Sequence, residues 1–229
     1  MNFPGNFRYI GEVDVSALKT LVLGLPEDQW QRESYRQQRY EVHRSTETIN
    51  LVFDPDFRHT HPTRFPALET FEPLIRPALG LVADYYETSP RGRELLQGKR
   101  LGYFIRANVV RLKAGGDIPP HKDGNFSLAH SHRVHLPIIT NDEVRFSVGS
   151  ETRNLPEGTL YEINNRRTHS VHNAGPEDRV HLILDYVLRG EKCCCGERLH
   201  PDTVCSPQAC LETDQFRIPC TCFPDDAAA

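Results

Sequence analysis

The spacing of hydrophobic positions divides the chain into a first part with helices and a second part dominated by strands. Residues 67–87 carry apolar side chains at three- and four-residue steps, which predicts a helix with one buried face. We expect Pro73 and Pro77 to kink or split this helix, because proline cannot donate the helical backbone hydrogen bond. The other elements predicted in the first part are a strand, a helix and a second strand, over 7–13, 14–24 and 41–54.

From about residue 101 the pattern changes to short strands separated by turn-like segments. Apolar runs such as RVHLPII, GTLYEIN and RVHLILDYV alternate with ITNDE, LPEG and HNAGPED, and no helical pattern lies between them. This predicts a mainly β fold with flanking helices (an α+β chain), whose strands form an antiparallel sandwich or jelly roll. We expect an N-terminal segment of helices and strands over 1–100 packed on a β-core over 101–189, followed by an appendage over 190–229.

The overall composition argues against some classes of partner. The net charge is −4 and 38% of the residues are hydrophobic, so there is no electrostatic reason to expect nucleic acid or an anionic membrane as partner. No stretch reaches the roughly 18 uninterrupted apolar residues of a membrane span, and the N-terminus lacks the pattern of a secretory signal. We therefore expect a cytoplasmic protein, and the sequence leaves its oligomeric state open.

The cysteines are confined to the predicted appendage. All seven follow residue 192, and their spacing contains no C-x2-C pair. Thiolates are soft ligands suited to zinc, and His200 could join them. A zinc site, a flexible tail and a disulfide-linked appendage all remain open, although a cytoplasmic location argues against stable disulfides. The candidate zinc ligands are Cys193, Cys195, Cys205, Cys210, Cys220 and Cys222.

The segment PPHKDGNFSLAHSHRVHLPI, residues 119–138, contains the first candidate for metal chemistry. His121 and Asp123 are two residues apart, so in an extended segment both side chains point the same way and reach one ion. A third ligand would complete two imidazoles and one carboxylate, which is the arrangement of non-heme Fe(II) oxygenases. The candidates for this third ligand are His169, His172 and His181. We interpret His130 and His132 as parts of a His-rich surface loop without chemistry.

The motifs PHKDG, RVHLPI, LPEGTLYEINN, THSVHN and DRVHLILD, in this order, resemble the aspartyl/asparaginyl β-hydroxylase family of Fe(II)/2-oxoglutarate dioxygenases, which also includes proline cis-4-hydroxylase-like enzymes. The resemblance covers about residues 101–188 and implies a double-stranded β-helix, a cupin-like jelly roll. It implies that the catalytic metal ligands are His121, Asp123 and His169. It also implies that the residues holding 2-oxoglutarate are Arg179, Arg133 and His135.

The same resemblance bears on the reaction and the substrate. Some aspartyl hydroxylases of the family have Gly at the position of Asp123, so the complete triad here is closer to the proline-hydroxylase branch. The implied reaction is hydroxylation of an amino-acid unit, with 2-oxoglutarate and O2 converted to succinate and CO2. That unit is an Asp- or Asn-like residue of a peptide or protein, or a free or carrier-bound amino acid such as proline. Candidate substrate-binding residues are Arg39, His43 and Asn50, with Arg44 beside them.

Two alternative interpretations accompany this assignment. Gly115 with His121, Pro156 with Gly158 and His169 with Asn173 also resemble cupin fragments, so the chain could be a metal-binding cupin without oxygenase turnover. Arg179 could also be a structural residue that forms a salt bridge with Asp178 or Asp185. The oxygenase interpretation is favoured because a cupin does not require a basic clamp for a carboxylate.

Overall fold

The fold was analysed in a computed structural model of the chain, which describes residues 3, 5–31, 44–55, 62–96, 102–123, 126–129, 131–188 and 191. The described strands are β1 (Phe7–Glu12), β2 (Thr46–Phe53), β3 (Thr63–Arg64), β4 (Tyr103–Leu112), β5 (Asp117–His121), β6 (His132–Ile139), β7 (Val144–Val148), β8 (Glu151–Arg153), β9 (Thr159–Ile163), β10 (His169–Asn173) and β11 (Arg179–Val187). The described helices are α1 (Ser16–Leu23), α2 (Glu27–Gln31), α3 (Ala67–Glu87), α4 (Pro90–Leu96) and α5 (Phe126–Ala129).

The described strands form two antiparallel sheets. The larger has the order β1-β9-β6-β11-β4-β2-β3 and the smaller the order β5-β10-β7-β8. From β4 to β11 the chain passes back and forth between the two sheets, which is the winding of a double-stranded β-helix. The predicted fold class, mainly β with flanking helices, is therefore confirmed. Strands β1 and β2 extend the larger sheet by pairing with β9 and β4, while the boundaries proposed at residues 100 and 189 remain predictions.

Alternation along β11 separates the two sides of the larger sheet. Val180, Leu182 and Leu184 are buried in a hydrophobic core that also contains residues of α1 and α3. The residues between them, Arg179 and His181 among them, point to the opposite side, where the smaller sheet packs. A second, smaller core fills part of this space between the sheets, and it includes Leu112, Phe146 and Val171. The inner side of the larger sheet is thus partly apolar and partly lined by charged groups.

A tight turn delivers the predicted metal-binding segment to the smaller sheet. The N–H of Gly116 donates to the carbonyl of Lys113 at 2.9 Å, and Gly115 between them has a φ of 67°. This backbone conformation favours glycine, because a side chain there would clash with the backbone. The turn reverses the chain at the end of β4, so that β5 pairs with β10.

Helix α3 differs from its prediction in one respect. It runs without interruption over Ala67–Glu87 although Pro73 and Pro77 lie inside it, so the predicted split is wrong. Both prolines are exposed, and they lie four residues apart on one face of the helix. The carbonyls that lose a helical donor therefore face solvent, which limits the cost. Phe71, Ile75 and other apolar residues of the opposite face are buried as predicted. None of the described helices is both long enough and apolar enough to cross a membrane.

Candidate metal centre

Three predicted ligand residues meet between β5 and β10. The ligand atoms of His121, Asp123 and His169 all lie within 4.8 Å of one another. His121 ends β5 and is paired directly with His169, the first residue of β10, so that the two imidazole ring centroids are 4.2 Å apart. The backbone N–H of Asp123 donates to the carbonyl of Asn165 at 3.2 Å, which holds the residue beyond the strand end. Sheet register and one loop contact therefore assemble the three side chains.

The two histidines present the nitrogen that suits metal coordination. Nδ1 of His121 lies 2.8 Å from the carbonyl of Pro119, and Nδ1 of His169 lies 3.0 Å from the carbonyl of Arg167. Because a carbonyl only accepts, each Nδ1 carries the proton and each Nε2 offers its lone pair. Burial lowers the pKa of His169 to about 4, so this imidazole is neutral at physiological pH. Neutral imidazole is the form that binds a metal ion.

Asp123 completes the set with an ionised carboxylate. Burial alone would raise its pKa, but the Arg133 guanidinium and the two imidazoles hold the pKa of Asp123 well below its usual range. Its Oδ2 lies 3.8 Å from Nε2 of His169 and accepts a hydrogen bond of 2.7 Å from Nη1 of Arg133. Two imidazole nitrogens and one carboxylate oxygen around a shared centre fit Fe(II) and leave coordination positions for other ligands.

A buried basic group lies on the larger sheet inside the barrel. Arg179 is 1% exposed, and its Nη2 donates to Nδ1 of His181 at 2.7 Å. Since a guanidinium only donates, His181 carries its proton on Nε2. Among the described residues, Nε of Arg179, Nε2 of His181 and both ring nitrogens of His135 have no hydrogen-bond partner. Buried polar atoms of native proteins are normally paired, so these four atoms indicate the place of a polar ligand.

The charge state of this group favours an anionic ligand. Burial lowers the pKa of Arg179 to about 9. Burial, together with neighbouring guanidiniums, also lowers the pKa of His135 and of His181 well below the ordinary value. Arg179 forms no salt bridge with a described carboxylate: Asp178 lies beside Arg111 at 3.7 Å, and Asp185 is bound by Arg133. The alternative that Arg179 is a structural ion-pair residue is therefore wrong.

The remaining predicted residues have different surroundings. Arg133 lies beside the metal centre, and its guanidinium binds Asp123 and Asp185. His172 is exposed and pairs with Asp117 at 2.6 Å. Asn50 lies on β2, and with the Asn108 amide in the orientation that satisfies both of its ends, Asn108 Nδ2 donates to Asn50 Oδ1 at 3.1 Å.

Several predicted residues lie outside the described part of the chain. They are Arg39, His43, His130, His200 and all the cysteines. The zinc site and the predicted substrate contacts thus stay predictions.

The interpretation of His132 as a surface-loop residue is wrong. It begins β6, is 5% exposed, and its two ring nitrogens lie 2.7 Å from Glu162 and 2.7 Å from Glu191. Its ring stacks on Tyr86 with centroids 4.0 Å apart. The loop prediction failed because both carboxylates are distant in sequence. The residues next to His132 in the sequence do not indicate that these two carboxylates will contact it.

Sequence reasoning also missed the ion pairs made by three buried charges near the metal centre. Asp185 and Asp54 are each 0% exposed, and Arg106 is 3% exposed. The available signal was a charged residue inside an apolar strand, as in YFIRANVV and HLILDYV. A charge of this kind is costly to bury without a partner, so it indicates an internal ion pair, although the pattern does not identify the partner.

Comparisons with known proteins agree with this geometry. Residues 82–188 match the family model described as Aspartyl/Asparaginyl beta-hydroxylase. No curated protein sequence matches the chain. Among solved structures, a prolyl hydroxylase from Trichoplax adhaerens, in complex with a peptide fragment of the hypoxia inducible factor oxygen degradation domain, is 14% identical. It aligns over 81% of this chain and 84% of its own with a TM-score of 0.54.

A further similar structure is an oxidoreductase of the 2OG-Fe(II) oxygenase family from Burkholderia pseudomallei. It is 17% identical, covers 65% of this chain and 71% of its own, and has a TM-score of 0.48. At 14% identity the likeness to the Trichoplax prolyl hydroxylase shows the fold alone. The resemblance predicted from the order of motifs is confirmed by the match of residues 82–188, which carry the metal centre and most of the barrel, to the aspartyl/asparaginyl beta-hydroxylase family model.

Proposed function

We propose that the protein is an Fe(II)- and 2-oxoglutarate-dependent dioxygenase that hydroxylates an unactivated C–H bond of an amino-acid unit. The observation that carries this proposal is the presence, in one barrel, of a three-residue metal centre and a buried guanidinium without a described carboxylate partner. Bound Fe(II), with O2 and 2-oxoglutarate, would supply the oxidising chemistry and yield succinate and CO2. The protein supplies binding, orientation and exclusion of water.

His121, Asp123 and His169 would hold the iron. The two imidazoles are fixed in the correct tautomer by backbone carbonyls, so each offers an Nε2 lone pair to the ion. The three ligands would occupy one side of the ion, and the other side would be left for cosubstrate and O2. This arrangement of two histidines and one carboxylate also disfavours a purely structural zinc site, which normally has four protein ligands.

Arg179 would bind the distal carboxylate of 2-oxoglutarate. A guanidinium offers a planar pair of donors that matches a carboxylate, and Nε of Arg179 has no described partner. His181 accepts from Nη2 of the same guanidinium and restricts its rotation. His135, which lies between this group and the aromatic ring of Phe146, supplies a further imidazole with unpaired nitrogens. A carboxylate can accept hydrogen bonds from the buried N–H groups of this cluster, and its negative charge matches the guanidinium.

The substrate proposed is an amino-acid unit, free, carrier-bound or within a peptide or protein. The family description supports this class, since it names aspartyl and asparaginyl residues. The complete metal triad broadens it beyond peptidyl Asp, as the sequence comparison with the proline-hydroxylase branch implied. Polar side chains on β2 and β4, such as Asn50 and Asn108, line part of the inner side of the larger sheet and suit the amide and carboxylate groups of such a substrate.

Turnover separates this proposal from a metal-binding cupin. The protein is loaded with Fe(II) under anaerobic conditions, mixed with 2-oxoglutarate and a pool of amino acids or peptides, and exposed to O2. We expect succinate to form with the wild-type chain and not with His169→Ala. Metal binding without succinate, for every pool tested, would favour the cupin alternative. An exposed substitution, His172→Ala, is the matched control for loss of a histidine from β10.

A further inference from the structure

A chain of buried ion pairs extends from the metal centre into the barrel wall. Nη1 of Arg133 donates to Oδ2 of Asp123 at 2.7 Å. Nε and Nη2 of the same guanidinium donate to the two oxygens of Asp185 at 2.9 and 2.8 Å. The pair with Asp185 is therefore bidentate, the geometry in which a guanidinium and a carboxylate hold each other in a fixed plane. The pair with Asp123 uses one edge of that fixed plane.

The strand register explains why these groups meet. Arg133 on β6 is paired directly with Asp185 on β11, and neighbouring residues of paired strands have side chains on the same side of the sheet. Asp185 is in turn paired with Arg106 on β4. Three adjacent strands of the larger sheet thus place a guanidinium, a carboxylate and a second guanidinium in a row. Rigid strands, rather than a loop, fix the position of Arg133.

The series of ion pairs continues beyond Asp185 toward helix α5. Nε of Arg106 lies 4.0 Å from Oδ2 of Asp185 and donates to Asp54. Asp54 also accepts from the hydroxyl of Ser127 in α5. This helix lies in the segment that connects Asp123 to β6. One end of the series of ion pairs is therefore at Asp123, where this segment begins, and the other end is at Ser127 within it.

The carboxylates and guanidiniums around Asp123 balance in charge. Asp54, Asp123 and Asp185 are three carboxylates, and Arg106 and Arg133 are two guanidiniums. A third buried guanidinium, that of Arg166, donates from Nη1 to the backbone carbonyl of Asp123 at 3.0 Å. Burying charges is favourable only when each is paired, and a divalent cation at the metal centre adds a partner on the side of Asp123.

We infer that Arg133 is a positioning residue for the metal-binding carboxylate of Asp123, anchored by Asp185. This inference rests on the proposed metal centre. It differs from the role implied by the family resemblance, in which Arg133 helps to hold 2-oxoglutarate. The family members that have Gly at the position of Asp123 have no carboxylate there for this guanidinium to hold. In this protein Asp123 binds one edge of the Arg133 guanidinium, and Asp185 binds another.

Most of the N–H donors of Arg133 are used by the protein's own carboxylates. An arginine has five N–H donors, and three of them are used by the two carboxylates. His135, two residues along the same strand, has both ring nitrogens unpaired among the described residues. The two neighbours on β6 therefore differ: Arg133 is directed to the protein's own carboxylates and His135 to a ligand. Partners that orient a metal ligand typically change metal affinity by about 10- to 100-fold when they are replaced.

The test compares metal affinity with cosubstrate affinity in the full-length protein. Mn(II) is used as the probe, and its binding is followed by electron paramagnetic resonance without 2-oxoglutarate. Binding of 2-oxoglutarate is then measured by calorimetry at saturating Mn(II). For Arg133→Lys, which keeps the charge and loses the planar fork, we expect the Mn(II) dissociation constant to rise about 10- to 100-fold. The dissociation constant of 2-oxoglutarate should change by less than about threefold, because an intact Arg179 still binds it.

Arg133→Gln separates positioning from simple electrostatics. Removing a positive charge beside a cation site should tighten Mn(II) binding if only charge mattered, whereas loss of positioning should weaken it. Asp185→Asn, which leaves Arg133 in place without its bidentate anchor, should also weaken Mn(II) binding. Arg111→Lys is the matched control, because Arg111 also bridges two carboxylates, Glu27 and Glu47, on a different part of β4.

Each outcome has a distinct meaning. Unchanged or tighter Mn(II) binding in the folded Arg133→Lys and Asp185→Asn variants, with weaker 2-oxoglutarate binding, would overturn the inference and favour the cosubstrate role. Failure of the wild-type chain to bind Mn(II) at all would instead refute the proposed metal centre. If Arg133→Gln does not fold, as judged by circular dichroism, the Lys and Asn variants still decide the question.

Discussion

Replacing Arg179 by Met should stabilise the ligand-free protein and remove its affinity for 2-oxoglutarate. Methionine has a similar length and no charge, so it fills much of the same space. The change deletes a guanidinium that is 1% exposed and has no described carboxylate partner. A buried charge that costs folding energy and has no described carboxylate partner is expected where an anionic ligand binds.

The magnitude follows from the pKa. Burial lowers the pKa of Arg179 from the ordinary value of an arginine to about 9, which corresponds to about 5 kcal/mol of unfavourable desolvation of the charged side chain. The variant also loses the hydrogen bond to His181 and the contact with the ring of Phe146, together about 2–4 kcal/mol. The net expectation is a ligand-free variant more stable by about 1–3 kcal/mol, or several degrees in Tm for a chain of this size.

The same substitution should weaken cosubstrate binding strongly. Loss of one partner from a buried charge pair costs about 2–5 kcal/mol, so the Kd of 2-oxoglutarate should rise roughly 30-fold to several thousand-fold. Urea unfolding measures the first effect and calorimetry at saturating Mn(II) measures the second. Arg76→Met, at a side chain that is 73% exposed on helix α3, is the control and should change neither quantity. A variant that binds 2-oxoglutarate as well as the wild type would refute the clamp, and a destabilised ligand-free variant would refute the argument from the unpaired charge.

Three further predictions concern histidines and the appendage. His169→Ala should abolish Mn(II) binding, whereas His172→Ala should retain it, because the latter side chain is exposed and pairs with Asp117; equal losses in both would contradict the ligand assignment. Burial alone would lower the pKa of His132, but Glu162 and Glu191 raise it. The protonated ring should therefore stabilise the fold fully below pH 6.5 and lose that contribution as pH rises through the raised pKa. The difference in unfolding free energy between the wild type and His132→Phe should accordingly be larger at pH 6 than at pH 9, and a constant difference would contradict this. Metal analysis of the full chain separates the alternatives left open for the appendage after residue 190: about one zinc per chain would support the zinc site, and none would favour a metal-free appendage.

Local patterns identified the parts of the fold that depend on neighbouring residues. In RVHLILDYV, the apolar residues Val180, Leu182 and Leu184 alternate with other residues, among them Arg179, His181 and Asp185. Strand β11 accordingly has an apolar side and a side bearing these charged and polar groups. The two-residue spacing of His121 and Asp123 predicted a shared direction, and the two side chains converge with His169. Such features follow from strand geometry, which a sequence shows directly.

Partners brought together by sheet register could not be identified in this way. Arg133 is separated from Asp185 by 52 positions and His132 from Glu162 by 30 positions. Both pairs depend on which strands become neighbours and on their stagger. The resemblance supplied the order of motifs but not these contacts, and a one-residue change of register would have sent the side chains to the other face. This is also why the burial of His132 was missed.

The central claim is that one barrel binds Fe(II) and 2-oxoglutarate together, through His121, Asp123 and His169 on one side and Arg179 on the other. The most direct test is an anaerobic titration of the Fe(II)-loaded protein with 2-oxoglutarate, followed by visible absorption. Chelation of iron by the keto acid produces a charge-transfer band. We predict that the band appears with the wild-type chain, is absent in His169→Ala and requires far more 2-oxoglutarate in Arg179→Met. A wild-type protein that binds Fe(II) but shows no band at any 2-oxoglutarate concentration would contradict the account.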